Sequence, residues 1–427
     1  MDTVFHPFWK ENKLNKEKVI GWTQAPYAFF KWLFIAVLTG TVVGLVGTGF
    51  LYCINLATSL RKTTLWLVWL LPIAGLMEVF LYRVCGVKKP QGTDLVLLAV
   101  RSPSPLPFRM APLIFISTVI THLFGGSAGR EGAALQMGGS LGFSIGRVLK
   151  LDEKDLHIIT MCGMSAAFAA LFGTPITSAV FAMEVTSVGV MYYAALVPCA
   201  VASLLAVFLA RSLGIAPEVY PIAGIPSLSV SAMLLIILLA ALCSALSVLY
   251  CWTLRGTGKL YRRWLANPYL RAAVGGALVL LLSLAVGREY LGAGMDVISA
   301  ALKGNARPEA FVLKLIFTAL TIGAGFKGGE IVPGFFVGAT FGCTAASLLG
   351  LSPAFGAALG LISVFCGVTN CPLTAILLGV ELFGAQGAPY YLLAAAVSYM
   401  LSGYTGLYSR QRILYSKYKP EFLGKNE

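Results

Sequence analysis

Two carboxylates in this chain follow glycine runs inside otherwise apolar sequence. Glu131 ends Gly125-Gly-Ser-Ala-Gly-Arg-Glu131 and is followed by Gly132, and Glu330 sits in Gly328-Gly-Glu-Ile-Val-Pro333. A glycine-rich turn opening onto a helix leaves several backbone N–H groups aimed at one spot, and the helix dipole favours negative charge there. Pro333 suits the first turn of such a helix. Two helix N-termini converging in this way would hold a small anion without a fixed cation, which would bind too tightly for turnover. Close helix packing through small residues is the other reading of either motif alone; their occurrence as a repeated pair favours the anion site. A carboxylate at Glu131 would repel that anion when charged and admit it when protonated, acting as gate and proton carrier together. The alternative is a structural partner for Arg130. For Glu330 two readings stand, a second proton stop or a hydrogen-bonded structural acid.

The elements that must position these residues are apolar. Charged residues make up 12% of the 427, against roughly 25% in an average soluble domain. No Asp, Glu, Lys, Arg or His occurs from Trp32 to Leu60 or from Val332 to Val380. A bilayer core needs about 20 consecutive apolar residues per helix, so these stretches are spans and the chain is a polytopic membrane protein. Other runs, such as those from Ala133 and Val332, begin at glycine-rich breaks. Broken helices at membrane depth are tolerated only where they line a cavity or lie buried in protein, which is the habit of transporters.

The chain repeats. Gly163 to Phe168, Pro175-Ile-Thr177 and Glu184 recur as Gly360 to Phe365, Pro372-Leu-Thr374 and Glu381 at a constant offset of 197 residues. In a looser pair, Gly129-Arg-Glu-Gly-Ala133 beside Gly329-Glu-Ile-Val-Pro333, the leading glycines lie 200 apart. This divides the chain into a tail (1–29), a first membrane half (30–213), a linker (214–228), a second half (229–408) and a C-terminal tail (409–427). The symmetric placement of Glu184 and Glu381 favours an architectural role for both. The formal charge of +14 is concentrated in few stretches: Lys10 to Lys18, Arg255 to Arg271, and Arg410 to Lys419. By the positive-inside rule both termini are cytoplasmic. The second half then starts on the opposite side from the first, and the repeat is inverted. With no basic domain outside the apolar bulk, nucleic acid is excluded as a partner. The 9 cysteines are scattered singly, with no metal-ligand spacing or disulfide framework, and no cofactor is implied. The first apolar run is too long for a signal h-region.

On these residues the chain, roughly 30–415, resembles the CLC superfamily of chloride channels and proton-coupled anion exchangers. Its Gly-Arg-Glu-Gly-Pro motif is matched at Gly129-Arg130-Glu131-Gly132, with Ala133 in place of the proline, which makes Glu131 the counterpart of the gating glutamate. Tyr408 in Gly406-Leu-Tyr-Ser409 matches the family's pore tyrosine. Read from the residues alone, its phenol near the end of the last span could donate to an anion or snorkel at the interface. Chloride-type members carry Gly-x-Phe-x-Pro in the second half. Phe326-Lys327-Gly328-Gly329-Glu330-Ile331-Val332-Pro333 instead looks like the fluoride-exporting branch. That resemblance implies that the N–H groups of Ile331 and Val332 face the anion and that Glu330 assists proton and anion movement. The internal proton-transfer glutamate of chloride exchangers would fall at Val185 and is absent, as in the fluoride branch. The first anion loop aligns with Gln91-Gly92-Thr93-Asp94, where Thr93 keeps a hydroxyl donor that the fluoride branch generally replaces with Met or Asn; a turn residue beside Asp94 is the other reading of Thr93.

The resemblance implies an all-α, CLC-like inverted repeat of broken and half helices in the cell membrane, assembled as a homodimer. The expected function is export of fluoride in exchange for protons. A chloride/proton exchanger or passive anion channel of the same fold is the alternative, and a membrane-embedded enzyme a distant one. Anion contacts are expected from Gly92, Thr93, Gly132, Ile331, Val332 and Tyr408, with Arg130, Lys327 and Asn370 as further candidates. Asn370, beside Thr369, would either touch the ion or cap a helix.

Overall fold

The structure is a computed structural model that describes residues 24–87, 92–102 and 106–424. The lysines of the N-terminal tail and Gln91 lie outside the described residues. Among those described, sixteen α-helices form two series of eight. The first comprises α1 (Gln24–Thr63), α2 (Leu71–Val84), α3 (Asp94–Ala99), α4 (Met110–Phe124), α5 (Glu131–Val148), α6 (Glu153–Phe172), α7 (Pro175–Glu184) and α8 (Leu196–Ser212). The second comprises α9 (Val230–Trp264), α10 (Pro268–Val286), α11 (Met295–Leu302), α12 (Ala310–Ala324), α13 (Ile331–Leu348), α14 (Pro353–Thr369), α15 (Pro372–Phe383) and α16 (Ala388–Leu401). The helices that flank the glycine turns match in length across the two series: α4 and α12 have 15 residues each, and α5 and α13 have 18 each.

Among the described residues, seven helical segments are long and apolar enough to cross a membrane. Exposed Phe34, Phe208, Leu234 and Leu281 face outward, an arrangement that suits lipid and would be an aggregation liability in water. Others fall short by design. A 15-residue helix spans about 22 Å, less than the roughly 30 Å hydrocarbon core. α4 stops at Gly125 (φ +95°) and α12 at Gly325 (φ +108°), backbone conformations that glycine adopts without steric cost. The chain then turns and re-enters helix at Glu131 and at Ile331.

Glycine also sets how closely the buried helices approach. A Cβ on Gly163 of α6 would lie 2.1 Å from the Gly138 carbonyl oxygen of α5, and one on Gly360 of α14 2.1 Å from that of Gly338 in α13. The two crossings are repeat mates, and they clamp α5 and α13 against the core.

Helix ends are satisfied across the repeat. α7 and α15 begin with Pro175 and Pro372 and have no capping side chain of their own. The Glu381 carboxylate instead accepts the N–H groups of Ile176 (3.0 Å) and Thr177 (2.8 Å). Glu184 accepts those of Leu373 (3.0 Å) and Thr374 (2.8 Å), and the Thr374 hydroxyl. Each acid therefore caps the other half's helix. A short parallel pairing of Ser187–Val188 with Arg412–Ile413 ties the C-terminal segment to the end of α7.

Candidate functional site

The two glycine turns meet back to back. The Gly129 N–H donates to the Gly329 carbonyl (2.7 Å) and the Gly329 N–H to that of Gly129 (2.8 Å), an antiparallel bridge that joins the starts of α5 and α13. Their orphan N–H groups and dipoles thereby face a shared space.

The Glu131 side chain fills that space. It is fully buried, and its Oε1 accepts the Val332 N–H at 2.6 Å. Its Oε2 is buried and has no hydrogen-bond partner among the described residues. Glycines make room for it: a Cβ on Gly129 would lie 2.1 Å from Oε1, and one on Gly329 2.5 Å from Oε2. Arg130, the adjacent cation, directs its guanidinium to Glu218 of the linker at 2.5 Å and over the Phe172 ring. The Glu131 carboxylate thus sits on the N-terminus of α13 as an anion would.

Thr93 approaches from the other side. It immediately precedes α3, is buried, and its Oγ1 lies 3.5 Å from the Gly132 carbonyl; Gly92 precedes it with φ +64°. The Asp94 carboxylate accepts the Ser409 hydroxyl (2.5 Å) and the Arg410 N–H (3.1 Å). This pins the 406–410 turn, and with it Tyr408, against α3. Tyr408 lies beyond the last helix, which ends at Leu401, rather than near the end of a span. It is buried within electrostatic range of both Glu330 and Glu131. Val332 thus contacts the Glu131 carboxylate directly, Thr93 meets Gly132 beside it, Tyr408 lies within electrostatic range, and Ile331 opens α13 just before Val332.

Glu330 is the residue before α13. Its carbonyl accepts the Tyr250 hydroxyl of α9 at 2.7 Å, and it lines a cavity of about 500 Å³ with Gly92, Gln136 and Lys327. The Lys327 ammonium is held by the Gly325 carbonyl at 2.8 Å and lies over the Tyr82 ring. Asn370 is the C-cap residue of α14. It ends α14 in a left-handed conformation (φ +58°). Its side chain donates to Gln411 Oε1 (3.0 Å) and accepts from the Lys417 ammonium (2.5 Å). A second cavity, about 490 Å³, lies beside the other end of α2 and is walled by Arg61, Lys62, Arg130 and Arg288 with Glu289 and Asp296.

Three residues of this neighbourhood carry no motif. Tyr250 is one of two tyrosines in a 35-residue helix. Gln136 stands one turn into α5, its amide on the Gly132 carbonyl. Glu78 is buried in α2 and accepts the Lys327 N–H. The only signal available for Glu78 was an acid within an apolar run.

The sequence profile described as voltage gated chloride channel matches residues 76–403. A chloride/fluoride channel protein of Pseudomonas syringae pv. tomato is 35% identical over 396 residues, covering 91% of this chain and 88% of its own. The crystal structure of a CLC-type fluoride/proton antiporter aligns with a TM-score of 0.87 at 30% identity, covering 92% of this chain and 99% of that one. An H(+)/Cl(-) exchange transporter of Vibrio cholerae is 25% identical over 389 residues, covering 83% and 82% of the two chains.

Proposed function

The chain belongs to the voltage gated chloride channel family, and from that premise we propose that it exports fluoride in exchange for protons. It is a multi-pass membrane protein of a transporter family, most like the fluoride/proton antiporter branch. The observation that carries the mechanism is the Glu131 carboxylate on the Val332 N–H. A side chain that occupies an anion's place must leave when the anion arrives, and protonation is what lets it leave. Exchange follows: fluoride moves outward through the shared helix N-termini as Glu131 carries a proton inward.

Fluoride is small, strongly hydrated and a strong hydrogen-bond acceptor. Replacing its water shell requires dense, directed donors. In this reading the N–H groups of Ile331 and Val332 and the start of α5 at Gly132 supply them, with the Thr93 hydroxyl after Gly92 and the Tyr408 phenol. Glu330, within electrostatic range of Tyr408 and Tyr250, takes the proton next. Arg130 balances Glu218 and leaves Glu131 free to move, while Lys327 and Asn370 support neighbouring turns. Both termini are cytoplasmic, and halves 30–213 and 229–408, joined by 214–228, act as inverted repeats. Two chains form a homodimer with one pore each, which mass measurement in detergent checks.

Purified protein in liposomes is expected to move fluoride much faster than chloride, with coupled proton flux. Chloride flux equal to or faster than fluoride flux would place it with the chloride exchangers, and anion flux without protons would make it a channel.

A further inference from the structure

The cavity that Glu330 lines reaches from the anion site towards the α9–α10 connection, where Arg262 and Arg271 form part of its wall. A second carboxylate, Glu78 of α2, lines the same cavity and is 1% exposed. Its Oε1 accepts the Thr121 hydroxyl of α4 at 2.7 Å and its Oε2 the Lys327 backbone N–H at 2.8 Å. A carboxylate has about four acceptor sites, so the remainder are open to water in a polar cavity of this size.

The charged and titratable groups facing Glu78 come from three sides. The Lys327 ammonium approaches from the 325–330 turn, with Arg271 of α10 behind it. Tyr82 lies one turn along α2, under the Lys327 ammonium. Among the described residues Lys327 and Glu78 form no salt bridge; the Lys327 Nζ donates to the Gly325 carbonyl instead and acts on Glu78 through its charge. A carboxylate held at this depth without a closed ion pair is costly, and an intramembrane acid of that kind is a functional candidate by default. A neutral acceptor would cap the Lys327 turn as well.

We propose that Glu78 is the inner proton-transfer residue of this transporter, receiving the proton from Glu330 across the Lys327-lined cavity and releasing it beside Arg271. This branch is separate from the anion path past Thr93 and Tyr408. It supplies the carboxylate that chloride exchangers carry at the position of Val185, whose carbonyl here accepts the Gln411 amide. The O–H bond of the Glu330 carboxylic acid breaks, and cavity water takes that proton and passes one to Glu78. The new Glu78 O–H then breaks to water on the cytoplasmic side. Only protons move.

The inference rests on proton-coupled exchange, so the wild-type chain is measured first. Liposomes carrying a fluoride gradient are followed with a fluoride electrode and a pH electrode. Wild-type fluoride flux without protons overturns the exchange reading and this inference together. With coupling present, Glu78→Gln should lower proton flux on the order of tenfold and raise the fluoride-to-proton ratio, and Glu78→Asp should restore part of it. A Glu78→Gln protein with the wild-type ratio and proton rate overturns the inference alone. If Glu78→Gln does not fold, Lys327→Met decides. Removing that cation should shift the dependence of transport on internal pH towards alkaline, because the charged carboxylate loses a neighbour that favoured it. An unshifted profile overturns the inference.

Discussion

The Glu131 carboxylate and the Val332 N–H, separated by 201 positions in the chain, meet at 2.6 Å at the head of α13. Among the described residues the second carboxylate oxygen has no partner within hydrogen-bond geometry, so the Val332 N–H and the helix dipole are what hold the side chain at this place. An anion would compete for the same donor. Glu131→Gln keeps the shape and removes the titration. It is expected to bring proton flux to background in the liposome assay, and undiminished coupling in that variant would sink the gating role. Glu131→Ala should instead leave the donors open and permit uncoupled fluoride flux.

Glu330 differs from Glu131: it lines the cavity, and its side chain makes no cap hydrogen bond to α13. Glu330→Gln should slow proton movement on the order of tenfold or more. Tyr250→Phe frees only the Glu330 carbonyl and should leave the coupling ratio intact. Equal effects of the two substitutions would mean that residue 330 matters for the fold of its turn and not for its acid.

The broken helices were readable in advance because glycine runs carry a physical requirement. Gly125 and Gly325 must terminate α4 and α12 in left-handed backbone, and the motifs that follow open α5 and α13 where the spacing placed them. The repeat offset likewise foretold the matched order of the two series. Pairings across long separations were not readable. Arg130 finds Glu218 in the linker 88 positions away, not its neighbour Glu131. Glu78 finds the Lys327 N–H 249 positions away, and Lys417 reaches Asn370 from the tail. No spacing rule encodes such contacts. They arise only when the inverted halves interleave.

Glu184 and Glu381 should separate stability from transport. Glu184→Ala strands two backbone N–H groups and the Thr374 hydroxyl, and Glu184 is buried. The cost should be about 2–4 kcal/mol at 1–3 kcal/mol per buried orphan, less where relaxation helps. Glu381 is half-buried, so Glu381→Ala should cost about 1 kcal/mol, as for an ordinary helix cap. Thermal unfolding in detergent should rank the two in that order, with the fluoride-to-chloride ratio unchanged in both. A changed ratio would give these acids a place on the anion path.

The glycine crossings make a sharper stability test. Gly163→Ala and Gly360→Ala each place a methyl group 2.1 Å from a backbone oxygen, which no rotamer change can relieve. α5 must then move off α6, or α13 off α14, at 1–3 kcal/mol or more for about one methyl of overpacking. Both variants should show reduced Tm and lost transport, since each displaced helix carries one side of the anion site. Gly49→Ala in α1 is the control. An added methyl there meets nothing within 4 Å, and helix propensity alone should stabilise by about 1 kcal/mol.

Asp94 ties the loop that carries Thr93 to the turn that carries Tyr408. It follows Thr93 directly, and its carboxylate holds Ser409 and Arg410, the residues after Tyr408. Asp94→Asn keeps one acceptor oxygen but loses the charge-assisted character of both bonds. Because these bonds are exposed, the loss should be about 1 kcal/mol, below the range for buried bonds to charged groups. If Tyr408 donates to the anion from a turn fixed in this way, fluoride affinity should weaken about fivefold, with little change in unfolding temperature. Tyr408→Phe should weaken it further, and combining it with Asp94→Asn should add nothing, because the anchor matters only through the phenol. Fluoride binding by calorimetry checks this, and additive losses would mean that Asp94 acts on the anion through Thr93 instead.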